Sequence, residues 1–312
     1  MPRLNQCRKP ARLNERSLLL QPLSDEQLTR ASMHHEDDSP GHHLQRSDFI
    51  RRLVQAPPQS VTPSNPEKSI PRRIVQYWHD LQALPVDVQE CMDSWSSWGS
   101  SGFEYLVFDA RSAARFIEQS LGKAHLQAFM RCYHPAMQAD YFRLCYLVIN
   151  GGMYVDADDV CIAKDISELF VGNCVKVQPL CYDIASDSMV QCEVFLQAGT
   201  NREGLIFYVN NNPLIACEGD PIVSRALERA TLLLNIAAEG ELPDIQSTTG
   251  PGNLSRIVFE LGARCSGEHR VTILRTWDSI GISKWPLGYR ADGRNWRKSN
   301  RKRFAFDEEG AP

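Results

Sequence analysis

Asn150-Gly151-Gly152-Met153-Tyr154-Val155-Asp156-Ala157-Asp158-Asp159 is the stretch that decides the fold. The Asn-Gly-Gly step ends an apolar helical pattern, Met153-Tyr154-Val155 then reads as a very short strand, and three acidic residues follow at its carboxyl end. That is where open α/β sheets bind ligands. Carboxylates spaced as Asp156-x-Asp158 cannot both turn into a core, because burying unpaired charge costs more than a domain can absorb. They call for a cation. Magnesium and manganese prefer oxygen ligands and are usually held by one or two carboxylates together with substrate phosphates, so the pattern reads as a metal-diphosphate site.

Upstream, 136–149 is apolar over more than half its circumference and predicts a buried helix, with Pro135 suited to its first turn. Asp140 and Arg143 share a face of it. Their spacing fits either a simple ion pair or a cleft-lining pair in which Asp140 accepts from polyol hydroxyls and Arg143 donates. Before this helix, 72–78 and 103–109 read as strands, and 86–98, 110–121 and 124–132 as helices. Such alternation implies an α/β sheet. Beyond the acidic stretch we expect a helical turn at 166–170, strands near 174–180 and 193–198, helices at 221–238 and 253–261, and a strand at 271–276.

The 312 residues are 43% hydrophobic and 23% charged, enough for one large domain or two small ones. With 34 basic and 38 acidic residues the net charge is −4, which supplies no field for nucleic acid, and none is expected as a partner. No apolar run reaches membrane-spanning length, Leu18-Leu19-Leu20 being the best near the start, and no signal peptide is evident. Ten scattered cysteines without a C-x-x-C read as buried thiols in a reducing compartment. Residues 1–69 are polar and Pro-, Ser- and His-rich and are expected to be mostly disordered, apart from a short amphipathic helix over 48–55 halted by Pro57-Pro58. The folded domain is expected over 70–290, and 291–312 as a basic then acidic tail. The basic stretch around Arg290, Arg294, Arg297 and Lys298 reads as solvated, with peripheral membrane contact or docking of an acidic partner as its functional alternative.

Several segments together resemble a known pattern: Ile70-Pro71-x-x-Ile74-x-Gln76-x-Trp78, the run Tyr105 to Asp109, Ala139-Asp140-Tyr141-Phe142-Arg143-Leu144, and Gly151-Gly152-Met153-Tyr154-Val155-Asp156-Ala157-Asp158. They are similar to the DXD sugar-transferase region of glycosyltransferase family 32, which includes Golgi mannosyltransferases and bacterial polysaccharide transferases. The resemblance is strong over 70–170 and weak elsewhere. It implies a GT-A (Rossmann-like) α/β fold and a metal-dependent hexosyltransferase. Such an enzyme takes a nucleotide-sugar donor (UDP- or GDP-sugar) and a glycan, lipid-linked or protein acceptor, with Mn2+ or Mg2+ and retention of configuration. By the same likeness Asp158 binds the metal and Asp156 contacts donor ribose or sugar and the metal through water, these two forming the catalytic pair. Asp140 and Arg143 hold sugar hydroxyls, Gln76 and Trp78 lie near the base, and Asp109 and Tyr154 join the donor site. A histidine that related enzymes carry before a C-terminal tryptophan is missing here. Ser283-x-Trp285 resembles the closing element of glucosylating toxins, with Asp278 the other metal-ligand candidate.

Transfer to an acceptor on the same sugar face needs no strong protein nucleophile, and no catalytic base stands out. Two rival readings stay open. Asp156 and Asp158 also fit the nucleophile loop of haloacid-dehalogenase-like phosphatases, although such loops follow a long apolar strand. A GT-A fold that binds sugar nucleotide or a partner without turnover is the other. The absence of an anchor favours a bacterial cytoplasmic enzyme of polysaccharide biosynthesis, and the polar first 69 residues keep a secreted effector as the alternative.

Overall fold

β1 (Arg73–Tyr77) is buried at four of its five positions, so it needs cover on both faces. It receives it from a mixed sheet built around it in the computed structural model, which describes residues 40–56, 69–196, 204–264, 271–284, 286–300 and 302. β2 (Glu104–Phe108) and β3 (Gly152–Tyr154) flank β1 in parallel. β3 then pairs antiparallel with β7 (Leu205–Ala216), and β7 antiparallel with β5 (Val175–Asp183). The other side of β5 carries β6 (Ser188–Val190) at one end and β8 (Val271–Ile273) at the other. A separate ladder pairs β4 (Asp159–Cys161) with β9 (Gly281–Ser283), which sets Asp159 opposite Ser283. The α/β expectation holds, with strands at 73–77, 104–108 and 152–154 close to where the sequence puts them.

Alternation along the strands sorts side chains to two cores. Val75, Tyr77, Tyr154 and Leu214 join the larger one, with α3 (Ala110–Leu121), α4 (Lys123–Met130), α5 (Pro135–Asn150), α6 (Pro221–Ile236) and α7 (Pro251–Arg264). Their neighbours Ile74, Met153 and Ile215 join a second, with Trp95 of α2 (Val86–Ser96) stacked against Trp277. α5 starts as its sequence predicts, with Pro135 in its first turn and the His134 ring nitrogen Nδ1 accepting from the Ala136 N–H at 3.1 Å.

Three expectations need correcting, and one long strand is unanticipated. Within 1–69, α1 (Pro40–Gln55) is part of the body: Ile50 and Val54 are fully buried in the larger core, and Ser47 accepts from the Phe207 N–H at 2.9 Å. Its core-facing residues Phe49, Ile50, Leu53 and Val54 fall within the amphipathic stretch 48–55, and what the sequence does not show is that this face is packed into the core. Residues 1–39 and 57–68 lie outside the described residues. The folded body also does not stop at 290, because Ser299 is buried and bonds His134, and Asn300 donates to Asp244 at 2.9 Å. In place of the strand expected at 193–198, the structure has the helical turn Cys192–Phe195. The long strand β7 is not expected from its sequence, because Asn210-Asn211-Asn212-Pro213 carries turn chemistry yet runs through the sheet. The eight described cysteines are thiols, mostly buried; Cys7 and Cys265 lie outside the described residues. No described helix is long and apolar enough to cross a membrane.

Candidate active site

The site grows from the joint between α5 and β3. Gly151 and Gly152 have φ of +60° and +108°, and a Cβ on Gly152 would stand 2.9 Å from the Arg73 carbonyl oxygen. Only glycine lets the chain leave the helix this tightly. The turn brings the acidic residues after β3 back over the α5 face that carries Asp140 and Arg143.

Arg143 is the hub. Its Nη2 lies 2.9 Å from Asp140 Oδ1 and 2.9 Å from Asp156 Oδ1, its Nη1 donates to the Asn211 carbonyl at 2.6 Å, and its guanidinium sits 4.3 Å from the Tyr154 ring centroid. The ion pair of the 140/143 reading exists, and both residues line a cavity. Asn211 Nδ2 donates to Asp140 at 2.8 Å, and Gly250 packs so closely beside the other Asp140 oxygen that a Cβ there would lie 3.1 Å from it. Burial pushes the Asp140 carboxyl up while Arg143 and Asn211 pull it down, the net being upward. Burial opposes charge on Arg143, but Asp156 and Asp140 outweigh it and hold the guanidinium ionised.

The acidic turn is held by its backbone, which frees carboxylates to face the cavity. Gln76 Nε2 donates to the Asp156 carbonyl at 3.0 Å, the Asp156 N–H donates to Asn212 Oδ1 at 2.9 Å, and Trp95 Nε1 donates to the Asp159 carbonyl at 2.9 Å. Asn212 Nδ2 also donates to Asp159 Oδ2 at 2.9 Å. Asp156 is raised to about 6, by burial first and by Asp158 and Asp140, against the pull of Arg143 and Arg290. Burial, with Asp158 and Asp156 beside it, pushes Asp159 well up. Asp158 accepts from the Tyr289 hydroxyl at 2.6 Å and pairs with Arg290.

These groups open into a cavity of about 1420 Å3. Asp140, Arg143, Tyr154, Asp156, Asp158 and Trp78 line it, and with Ser283 and Asp278 eight of the expected site residues converge. Ser283 lines it too and accepts from Arg290 at 3.0 Å, as does Asp278, which accepts from Gln178 at 3.0 Å. The Trp78 ring meets Tyr289 edge to face at 5.2 Å, and its Nε1 has no hydrogen-bond partner among the described residues. Gln76 is buried with its amide committed to Asp156 and to the Tyr105 hydroxyl, behind the cavity wall. Asp109 stands apart: it caps α3 in a reciprocal capping box with Ser112, and its place in the donor site is not supported. Trp285 lies outside the described residues.

Asn211, Asn212, Asp159, Tyr289 and Arg290 are site residues that the sequence alone does not assign. In the sequence Asp159 is only the third acid of a run. The Asn pair is hidden by its turn-like spelling, and Arg290 by its place in a basic run that reads as a solvated tail. Instead Arg290, Arg294 and Arg297 line the cavity. In the segment 249–251, Thr249 bonds back to the Ile245 carbonyl, while Gly250 serves the close approach to Asp140; just beyond, Asn253 donates to the Ala226 carbonyl.

The side chains lining this cavity include the carboxylates of Asp140, Asp156, Asp158 and Asp159, which outnumber the two guanidiniums paired with them, those of Arg143 and Arg290. A hard divalent ion suits that set in chemistry and charge. Among the described residues no three acidic, His or Cys side chains converge as a ready-made metal cluster. Asp156 and Asp158 each hold an arginine instead.

Residues 85–175 match the family model described as a glycosyltransferase sugar-binding region containing a DXD motif. That stretch, under a third of the chain, contains Asp140, Arg143, Asp156 and Asp158, and over it the chain is similar to DXD-containing glycosyltransferases. Among solved structures, the PaToxG glycosyltransferase is similar at 14% identity over 74% of this chain and 80% of that one, with a TM-score of 0.41. No curated protein matches the chain.

Proposed function

We propose that the chain moves a hexose from a UDP- or GDP-sugar to an acceptor hydroxyl on a glycan, lipid-linked glycan or protein, with retention of configuration, as the family 32 resemblance implies. The observation that carries this reading is the Asp140–Arg143–Asp156 cluster at the end of β3, facing the same cavity as Asp158 and Trp78. Asp140 and Asp156 accept from hydroxyls of the sugar, and Arg143 fixes the orientation of both carboxylates. Trp78 lines the cavity beside Tyr289, and an aromatic ring there suits a nucleotide base. Asp158, with Asp156 and the Ser283 hydroxyl, would hold Mn2+ or Mg2+. When bound, the ion neutralises the charge of the departing nucleoside diphosphate. The wall from Tyr208 to Trp296 and Arg297 is left for the acceptor.

The test is a panel of UDP- and GDP-sugars incubated with the protein and Mn2+, scored for nucleoside diphosphate release with and without chelator. Chelator-sensitive release from one donor, lost in Asp158→Asn with the fold intact by circular dichroism, is the expected result. Donor binding with no turnover under any acceptor would leave a sugar-nucleotide binding protein and refute catalysis. Full activity in Asp158→Asn would refute the metal assignment.

A further inference from the structure

Arg290 reaches Asp158 from outside the sugar-binding region. Its Nη2 pairs with Asp158 Oδ2, the oxygen that also accepts from the Tyr289 hydroxyl, and lies 3.0 Å from Ser283 Oγ. Neither partner is a loose surface group, with side-chain exposures of 11% for Arg290 and 14% for Asp158. The turn Gly288–Ala291 that carries Arg290 is pinned at both ends: the Gly288 N–H donates to Asp87 at 2.7 Å, and Asn295 Nδ2 donates to the Arg290 carbonyl at 2.9 Å. Asp158 is pinned as well, its carbonyl accepting from the Lys284 N–H at 3.1 Å. Both backbones are thus fixed while a long side chain spans the gap to Asp158, inside the cavity wall.

A guanidinium and a divalent ion cannot share one carboxylate oxygen at contact distance without strong repulsion. We propose that Arg290 is the resident counter-cation of Asp158 and exchanges with an incoming metal–nucleotide pair, leaving Asp158 to the metal and turning to the diphosphate. This rests on the function proposed above. No bond forms or breaks, and charge stays matched at each stage: the guanidinium passes from one anion to another while the ion takes its place. Metal alone must displace Arg290 with no anion to receive it. Metal and nucleoside diphosphate together give every charge a partner, so their binding is positively coupled, and by linkage the coupling is the same from either side. Tyr289 carries no charge and contributes a hydrogen bond without the coupling.

Calorimetric titration of the full chain with MnCl2 alone, with UDP or GDP alone in separate arms, and with both together tests this without any turnover. For wild type, nucleotide should tighten Mn2+ binding by about tenfold or more. Arg290→Gln should bind Mn2+ alone about tenfold tighter than wild type and lose most of the coupling. Tyr289→Phe should keep it. A merely structural role for Arg290 would not tighten metal binding. Thermal melts establish folding, and if Arg290→Gln does not fold, Arg290→Lys replaces it, with retained coupling and weak metal-alone binding expected; loss of coupling in a folded Arg290→Lys overturns the idea. A coupled wild type with an unaltered Arg290→Gln overturns the inference alone, as does a wild type that binds ion and nucleotide independently. A wild type and variant that bind neither ion nor nucleotide in any combination overturn the proposed function and this inference with it.

Discussion

Replacing Arg143 by methionine removes the site's central charge while keeping much of its apolar stem, so the cost is mostly electrostatic. Asp140 and Asp156 lose the guanidinium that both touch at 2.9 Å, and the Asn211 carbonyl loses its donor. Breaking a buried pair from one side typically costs about 3–5 kcal/mol. A second bound comes from proton uptake: neutralising a carboxyl of ordinary pKa 3.8 at pH 7 costs about 4 kcal/mol, and Asp140 takes this route when no cation remains. The two routes agree on a loss of about 4 kcal/mol at neutral pH. The pH dependence has a definite sign. In the variant the folded-state pKa of Asp140 rises further above its unfolded value, so the native state binds a proton that the unfolded state does not. The variant is therefore least stable above its raised pKa and recovers as pH falls toward the unfolded value, by about 1.4 kcal/mol per pH unit for each carboxyl. Urea unfolding of wild type and Arg143→Met at pH 5.5 and pH 7.5 measures both. A loss under about 1 kcal/mol at pH 7.5, or a loss equal at the two pH values, would refute the account of Arg143 as the clamp on two acids.

Other expectations concern the scaffold. His125 is buried against the Tyr141 and Thr231 hydroxyls, and burial pulls its pKa from 6.5 to about 4. The unfolded chain takes up that proton first, so stability is lost as pH falls from 6.5 toward 4, by up to about 3 kcal/mol, and His125→Gln should flatten thermal melts over this window. Gly152→Ala places a Cβ against Arg73 backbone at a φ of +108°, and chemical denaturation should show a loss of about 2 kcal/mol or more, with native-like stability as the contrary result. Ile50→Ala should cost about 2–4 kcal/mol because α1 belongs to the core; an unchanged midpoint would mean that α1 is dispensable to the fold.

The strands β1, β2 and β3 and the helix α5 are legible in the sequence because each combines a strong period with strong punctuation. β1 is apolar over most of its length, and α5 is bracketed by Pro135 and the glycine pair, so local chemistry and tertiary role agree there. β7 is not legible, since Asn211 and Asn212 spend turn-forming side chains on Asp140, Asp156 and Asp159, contacts more than fifty residues away that no local window contains. Asp109 misleads for the opposite reason. Its position at the end of β2 resembles that of Asp156 at the end of β3, but the next residue opens a helix, and Ser112 three residues on makes it a cap. Arg290 is invisible because composition assigns a basic run to solvent, whereas its partner is chosen by the turn that aims it.

The two arginines of the site differ in how they are held, and the difference bears on what each can do. Arg143 lies on a buried helix, donates to a backbone carbonyl, and is stacked on Tyr154, so it is held on several sides. Its charge is a constant of the site, and the acids it touches keep a fixed geometry suited to reading hydroxyls. Arg290 sits on a short turn and reaches side-chain oxygens of Asp158 and Ser283. Its charge can relocate without disturbing a helix or a sheet. On the proposed function, a donor that carries a sugar at one end and a diphosphate at the other needs both kinds of group: fixed charge where shape is read, and transferable charge where an anion arrives and departs. The positions of Arg143 at the centre of the fold and Arg290 on its rim follow that division.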